Sequence, residues 1–257
     1  MKLPEPIKID ISDETFAGVT YHLRGALVPE LQIEISNQAV MFEHHTLLWK
    51  ESAVSIELRK LPGGIKRKIA GLDFFITKTG GPGRIAFSRD WPGQCIPLHL
   101  ANGQDVHVRE HHFLAATDNI DYSYERVKGL RNMLLGGSGL FIDRFHANSG
   151  DAIVWVSGQG NVFELELAAG EAIDVEAGGW LYKDTSVTLE SQSIGLKAGM
   201  FAGDHKLTWN RFTGPGKVAI QTMYVEPIES ENGAGSNAAA AAGGGVAGAV
   251  IGGLLRG

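Results

Sequence analysis

The residues best suited to chemistry come as two copies of one triplet. Glu43, His44 and His45 stand in "FEHHTLLWKE", and Glu110, His111 and His112 stand in "REHHFLAATD", 67 residues further on. Imidazole is a common ligand for zinc and other transition ions, so the sharpest reading is a metal centre drawn from His44, His45, His111 and His112. Two features weigh against it. Neighbouring residues of a strand point to opposite faces, so adjacent histidines reach one ion only from a turn. Where the surrounding phrase occurs a third time, Gly178 and Gly179 replace the histidines. A hairpin corner accounts for the same letters, because glycine is the default at positive φ and histidine is enriched there. The expectation is therefore corner residues, with no metal, no cofactor and no catalytic residue. A proton-sensing surface is the remaining alternative, given an ordinary histidine pKa near 6.5.

Other chemical residues read more plainly. Glu51, Asp118 and Asp184 recur at the following corner, in stretches such as "TDNI" and "KDTS", where Asp and Asn bond to their own backbone. "LRKLPGGIKRK" gathers Arg59, Lys60, Lys66, Arg67 and Lys68 about a Pro-Gly-Gly turn. These five form the surface on offer to an anionic partner, with a solvated loop tip as the plainer reading. "TGGPG" and "TGPG" lack the Lys-Ser or Lys-Thr of a phosphate cradle and read as turns. Cys95, the single cysteine, sits among apolar residues and is expected as a packed thiol.

The elements that must position these residues are strands. Apolar residues alternate at Leu31, Ile33 and Ile35, and again at Phe163, Leu165 and Leu167, the period of a half-buried strand. "LHLANGQDVHVREHHFLAATDNIDY" from Leu98 lies without a gap on "LELAAGEAIDVEAGGWLYKDTSVTL" from Leu165. "IEISNQAVMFEHHTLLWKESAVSIEL" from Ile33 joins them with a one-residue slip on either side of its histidines. A second phrase also occurs three times, from Leu72, Leu140 and Leu207. The expectation is one all-β domain over residues 1–228, made of three units at about 25–91, 92–158 and 159–226 around a pseudo-threefold axis.

Composition narrows the functions. Lys and Arg total 23 against 29 Asp and Glu, a formal net charge of -6, which counts against a phosphate-backbone binder. One cysteine and a start without an apolar leader fit a reducing, cytoplasmic setting. Beyond Pro227 the composition changes, and residues 229–257 are expected as a flexible Gly/Ala-rich tail. Within it Gly244, Gly248 and Gly252 fall every fourth residue, the spacing that lets helices approach in a bilayer. So few large apolar side chains accompany them that only a weak membrane contact is expected.

The phrases "VREHHFLAATDNIDY", "GLFIDRFHANSGDAIVWVSGQGNVFELELAAGEAIDVEAGGWLYKDTSV" and "FTGPGKVAIQTM" resemble the family named for altered inheritance of mitochondria, the mitochondrial biogenesis family, in its bacterial branch. The resemblance covers most of residues 20–226. It implies a β-sandwich of double-stranded β-helix type, similar to the trp RNA-binding attenuation protein and repeated within the chain. It brings no established catalytic residue, and for mitochondrial members it implies a part in organelle and respiratory organisation. A non-enzymatic binding or scaffold protein is therefore the leading expectation, with an unidentified protein partner or a homo-oligomer. The rivals are a metal- or small-ligand-binding enzyme or sensor and an RNA-binding module. Fold kinship alone transfers no RNA binding.

Overall fold

Alternating residues write some of the strands, and nearly continuous apolar runs write others. The structure is a computed structural model, which describes residues 3–7, 13–60, 75–126, 141–193 and 208–223. All of these lie in the first of two units of the chain, Met1–Val225; the second, Glu226–Gly257, is outside the described residues.

The first strands are β1 (Glu5–Pro6), β2 (Asp13–Phe16), β3 (Val19–Arg24), β4 (Glu30–Ile35) and β5 (Val40–Phe42). A 3-10 turn over His44–Thr46 leads into β6 (Leu47–Lys50), β7 (Ser55–Lys60), β8 (Phe75–Gly80) and β9 (Gly83–Phe87). Then come β10 (Gly93–Leu100), β11 (Asp105–Arg109), β12 (Phe113–Thr117), β13 (Ile120–Arg126), β14 (Phe141–Ala147) and β15 (Ala152–Gln159). The last are β16 (Val162–Leu167), β17 (Ala172–Glu176), β18 (Trp180–Asp184), β19 (Thr188–Ser193), β20 (Thr208–Thr213) and β21 (Gly216–Gln221). The all-β expectation holds, and the described strand pairs are antiparallel.

Among the described residues there are four sheets. The first runs β2-β3-β4-β9-β6 and the second β10-β15-β12-β5-β8-β7. The third runs β1-β16-β21-β18-β11-β14-β13 and the fourth β17-β20-β19. Two orders recur within them. β4-β9-β6, β10-β15-β12 and β16-β21-β18 share one; β5-β8-β7, β11-β14-β13 and β17-β20-β19 share the other.

Apolar cores separate successive sheets. Leu31, Ile33, Ile85 and Phe87 of the first sheet pack on Phe42, Leu114 and Trp155 of the second. The opposite face of the second sheet brings Met41, Val154 and Val156 against Val108, Phe145 and Leu181 of the third. Leu165, Trp180 and Val218 of the third meet Val175 and Phe212 of the fourth. A sheet covered on both faces has no solvent side for polar residues to occupy. This is why β15, "AIVWVSGQ", is buried along its whole length whereas β4 alternates. The Gly-Pro stretches turn strand into strand as expected, with Gly81 at φ +77 between β8 and β9 and Gly216 at φ +132 entering β21.

Candidate functional site

The histidines lie at the corners that join β5 to β6 and β11 to β12, and the glycines that stand in for them lie between β17 and β18. The backbone repeats one arrangement at each corner. The amides of Thr46, His112 and Gly179 donate to the carbonyls of Glu43, Arg109 and Glu176, at 3.0, 3.3 and 2.9 Å. The carbonyls of the same three residues accept from the amides of Ser88, Ser157 and Gln221, at 3.0, 2.8 and 2.8 Å. Thr46, His112 and Gly179 therefore occupy one position, and His45, His111 and Gly178 the position before it. The two Glu-His-His triplets are one residue out of step. The structural equivalents Val40 and Val106, like Thr46 and His112, lie 66 residues apart, one fewer than the 67 between the triplets. The turn before them differs too, with four residues between Ile35 and Val40 against five between Leu100 and Val106. The slip thus falls on one side of the histidines only, and the matching letters are not matching sites.

The histidines do lie at corners, but the positive φ behind that expectation is found at one of them. His111 adopts φ +69, the left-handed conformation that corners favour. His44 and His45 instead belong to a 3-10 turn, and neither Gly178 nor Gly179 takes a positive φ.

Two arginines stitch corner to corner. Arg89, which follows β9, keeps only 4% of its side chain exposed. It donates to Nε2 of His45 and to the carbonyls of His111 and Phe113, the last at 2.8 Å. Its guanidinium carbon lies 4.9 Å from the Trp91 ring centroid, a cation–π contact. Arg109 at the end of β11 donates to the carbonyl of Gly178, which also accepts from Nε2 of Gln221 at 3.0 Å. Burial and the Arg89 charge hold His45 down at about 4, so its ring is neutral and accepts the arginine proton. His112 is buried, and its Nδ1 donates to the Ser157 carbonyl at 2.6 Å. Burial first, and then Arg109, lower that ring to about 3.

Of the four histidines, the structure joins His45 to His111 through Arg89 and encloses His112 separately beside Trp91. His44 stacks edge-on against His45 with ring centroids 5.7 Å apart, and the His111 side chain is 75% exposed. Among the described residues, no group of three or more His, Cys, Asp or Glu side chains is disposed to hold a metal ion.

Sequence reasoning missed the carboxyls beside this junction. Burial, reinforced by the charge of Asp143, raises Glu110 to about 7, and Arg109 only partly offsets the shift. Asp143 is itself buried and accepts from the Tyr122 hydroxyl at 2.8 Å. A signal was present: in "LFIDRF" an aspartate falls in the inward phase shared with Phe145, where a half-buried strand has an apolar residue. Nothing in the letters around Arg89 announces its role.

The remaining expected positions are dispersed. Arg59, on β7, is paired with Asp118 at 2.7 Å, and Lys78 of β8 grips the other oxygen of that carboxylate. Lys60 ends β7, whereas Lys66, Arg67 and Lys68 lie outside the described residues, as do Gly244, Gly248 and Gly252. The expectation has Glu51 and Asp184 bonding to backbone in their own turns; instead they accept across the sheet, from the amides of Arg84 at 3.1 Å and Lys217 at 2.8 Å. Asp118 departs from that turn role through its two cations. The Cys95 thiol is buried, and burial pushes its pKa up. No helix among the described residues is long and apolar enough to cross a membrane.

A family model described as mitochondrial biogenesis AIM24 matches residues 21–223, which include every corner above. The chain belongs to that family. A crystal structure of a Streptococcus pyogenes protein is similar in fold to this AIM24 chain, with a TM-score of 0.64 and 19% sequence identity. The similarity covers 80% of this chain and 94% of that one. No curated protein matches the chain.

Proposed function

We propose that this AIM24-family chain is a non-enzymatic binding scaffold with a part in the organisation of a membrane or of respiratory machinery, a reading supported by its membership of a family described as mitochondrial biogenesis. One observation carries the reading. Where arginines, histidines and carboxylates converge, their hydrogen bonds tie one corner of the fold to the next, through Arg89 to His111 and Phe113, His112 to Ser157, and Arg109 to Gly178. Polar groups held this way stiffen a platform. The recurring strand orders support a division into three units at about 25–91, 92–158 and 159–226, which together form a broad surface. The tail of 229–257 adds a weak tether to that surface.

The test is a native mass spectrum of untagged protein purified gently from its own cells. Bare protomers or their multiples, with or without a bound protein, are expected. A stoichiometric metal or small molecule on each protomer would overturn the scaffold. A second reading, a proton-responsive sensor, is favoured by Glu110, the carboxyl that burial beside Asp143 brings to about 7.

A further inference from the structure

Two sheets end on strands that elsewhere in this molecule have neighbours. In the order β10-β15-β12, the outer strand β12 continues into β5, with Ala115 opposite Phe42 and Thr117 opposite Val40. In the order β16-β21-β18, the outer strand β18 continues into β11, with Lys183 opposite His107 and Tyr182 opposite Val108. β6 holds the same place in β4-β9-β6 and makes the same bulged pairing with its inner neighbour. Leu47, Trp49 and Lys50 oppose Phe87, Ala86 and Ile85, as Trp180, Tyr182 and Lys183 oppose Ile220, Ala219 and Val218. Yet no described strand lies beyond β6. At the other end, β17 holds the place of β5 and β11 beside β20, and no described strand lies beyond it either.

Burial shows what is missing. β12 is buried throughout and β18 nearly so, whereas Leu48 and Trp49 of β6 are 56% and 37% exposed. A matched pair of lysines makes the point more sharply. Lys183 donates to the carbonyls of Val187 and Asp184, and Lys50 to those of Val54 and Glu51. Lys183 is 3% exposed beneath β11, while Lys50, with the same local bonds, stands in solvent.

We infer that β6 of one protomer pairs antiparallel with β17 of a second copy of this chain, head to tail, continuing the first sheet of one into the fourth sheet of the other. The β18–β11 register fixes the contacts. Lys50 lies opposite Asp174, Trp49 opposite Val175 and Glu51 opposite Ile173. On one face the pairing brings the exposed Lys50 ammonium, as a second cation, to the exposed Asp174 carboxylate, which Arg211 of its own chain holds at 2.7 and 2.8 Å. On the other it sets an aromatic ring against a β-branched residue, and both are favourable cross-strand pairs. A joint of this kind is heterologous, so it closes into a ring or grows as a filament according to the rotation per step.

The inference rests on the scaffold reading by naming a partner for it, and its test is separate. Light scattering of the full chain is expected to give masses that rise with concentration in whole protomers. Lys50→Glu sets two carboxylates face to face and is expected to raise the concentration needed by about tenfold or more. Two differently tagged chains, Lys50→Cys and Asp174→Cys, are expected to form a mixed disulfide on mild oxidation. A monomer at all concentrations would overturn the joint, as would assembly indifferent to Lys50→Glu without the mixed disulfide. So would a Lys50→Cys, Asp174→Cys double variant that closes its disulfide within one chain. None of these results touches the scaffold reading, which falls only to a stoichiometric metal or small molecule in the native mass spectrum.

Discussion

Glu110 and His112 are two positions apart and respond to pH in opposite senses. Glu110 is raised to about 7 in the folded protein from an ordinary 4.5, so between those values the folded state holds the proton more tightly than the unfolded one. Stability from this group therefore falls as pH rises from about 4.5 to 7, by up to about 3 kcal/mol for a shift of this size. Glu110→Gln is expected to melt higher than the wild type above pH 7, and the difference should vanish toward pH 4.5. His112 has a depressed pKa of about 3. Its contribution is complete above the ordinary histidine value of about 6.5 and is lost as pH falls toward 3. In a pH titration followed by NMR, its ring signals should stay those of neutral imidazole down to pH 4. His112→Ala also strips the bond to the Ser157 carbonyl and is expected to cost about 2–3 kcal/mol in urea unfolding. These shifts come from burial, which no local run of letters specifies.

Among the elements, β10 and β15 approach each other closely. A Cβ at Gly93 would lie 1.8 Å from the Gly158 carbonyl oxygen, so the two backbones admit no side chain there. Gly93→Ala is expected to destabilise by about 3 kcal/mol or to leave no soluble protein, as read by urea unfolding. Asp118 is a milder case. It ties the turn between β12 and β13 to Arg59 and Lys78, but both cations are more than a third exposed or close to it. Asp118→Ala should therefore cost only about 0.5–1 kcal/mol, and less in high salt. The alternation of β4 and the Gly-Pro turns were legible because strand period and turn chemistry are local properties. The buried length of β12 and the first five residues of β15 were equally open to reading as near-continuous apolar runs. The one-residue offset between the triplets was not, because it was set by which carbonyl each amide meets across the sheet.

At the scale of the whole molecule, no inner sheet belongs to one core. In β5, Phe42 packs on the first sheet while Met41 packs toward the third. Loss of one core therefore removes a wall from the next. Calorimetry of the full chain should show one cooperative transition, with calorimetric and van't Hoff enthalpies equal. Phe42→Ala, which empties a fully buried position, should lower that single transition by the equivalent of about 3–5 kcal/mol. Two separate peaks would show the cores to be independent.

The sequence by itself determined the all-β class, the turns and the family, because these follow from period, from backbone conformational preference and from long ordered phrases. It also raised the question of the paired histidines. Only the tertiary structure decided that the two triplets are out of register and that Arg89 and Arg109 bind corner to corner. It alone showed a carboxyl at Glu110 whose pKa burial raises, and a lysine on β6 bare where its counterpart on β18 is covered. Each of these depends on which strands lie side by side, and strand pairing across a sheet joins residues far apart in the chain.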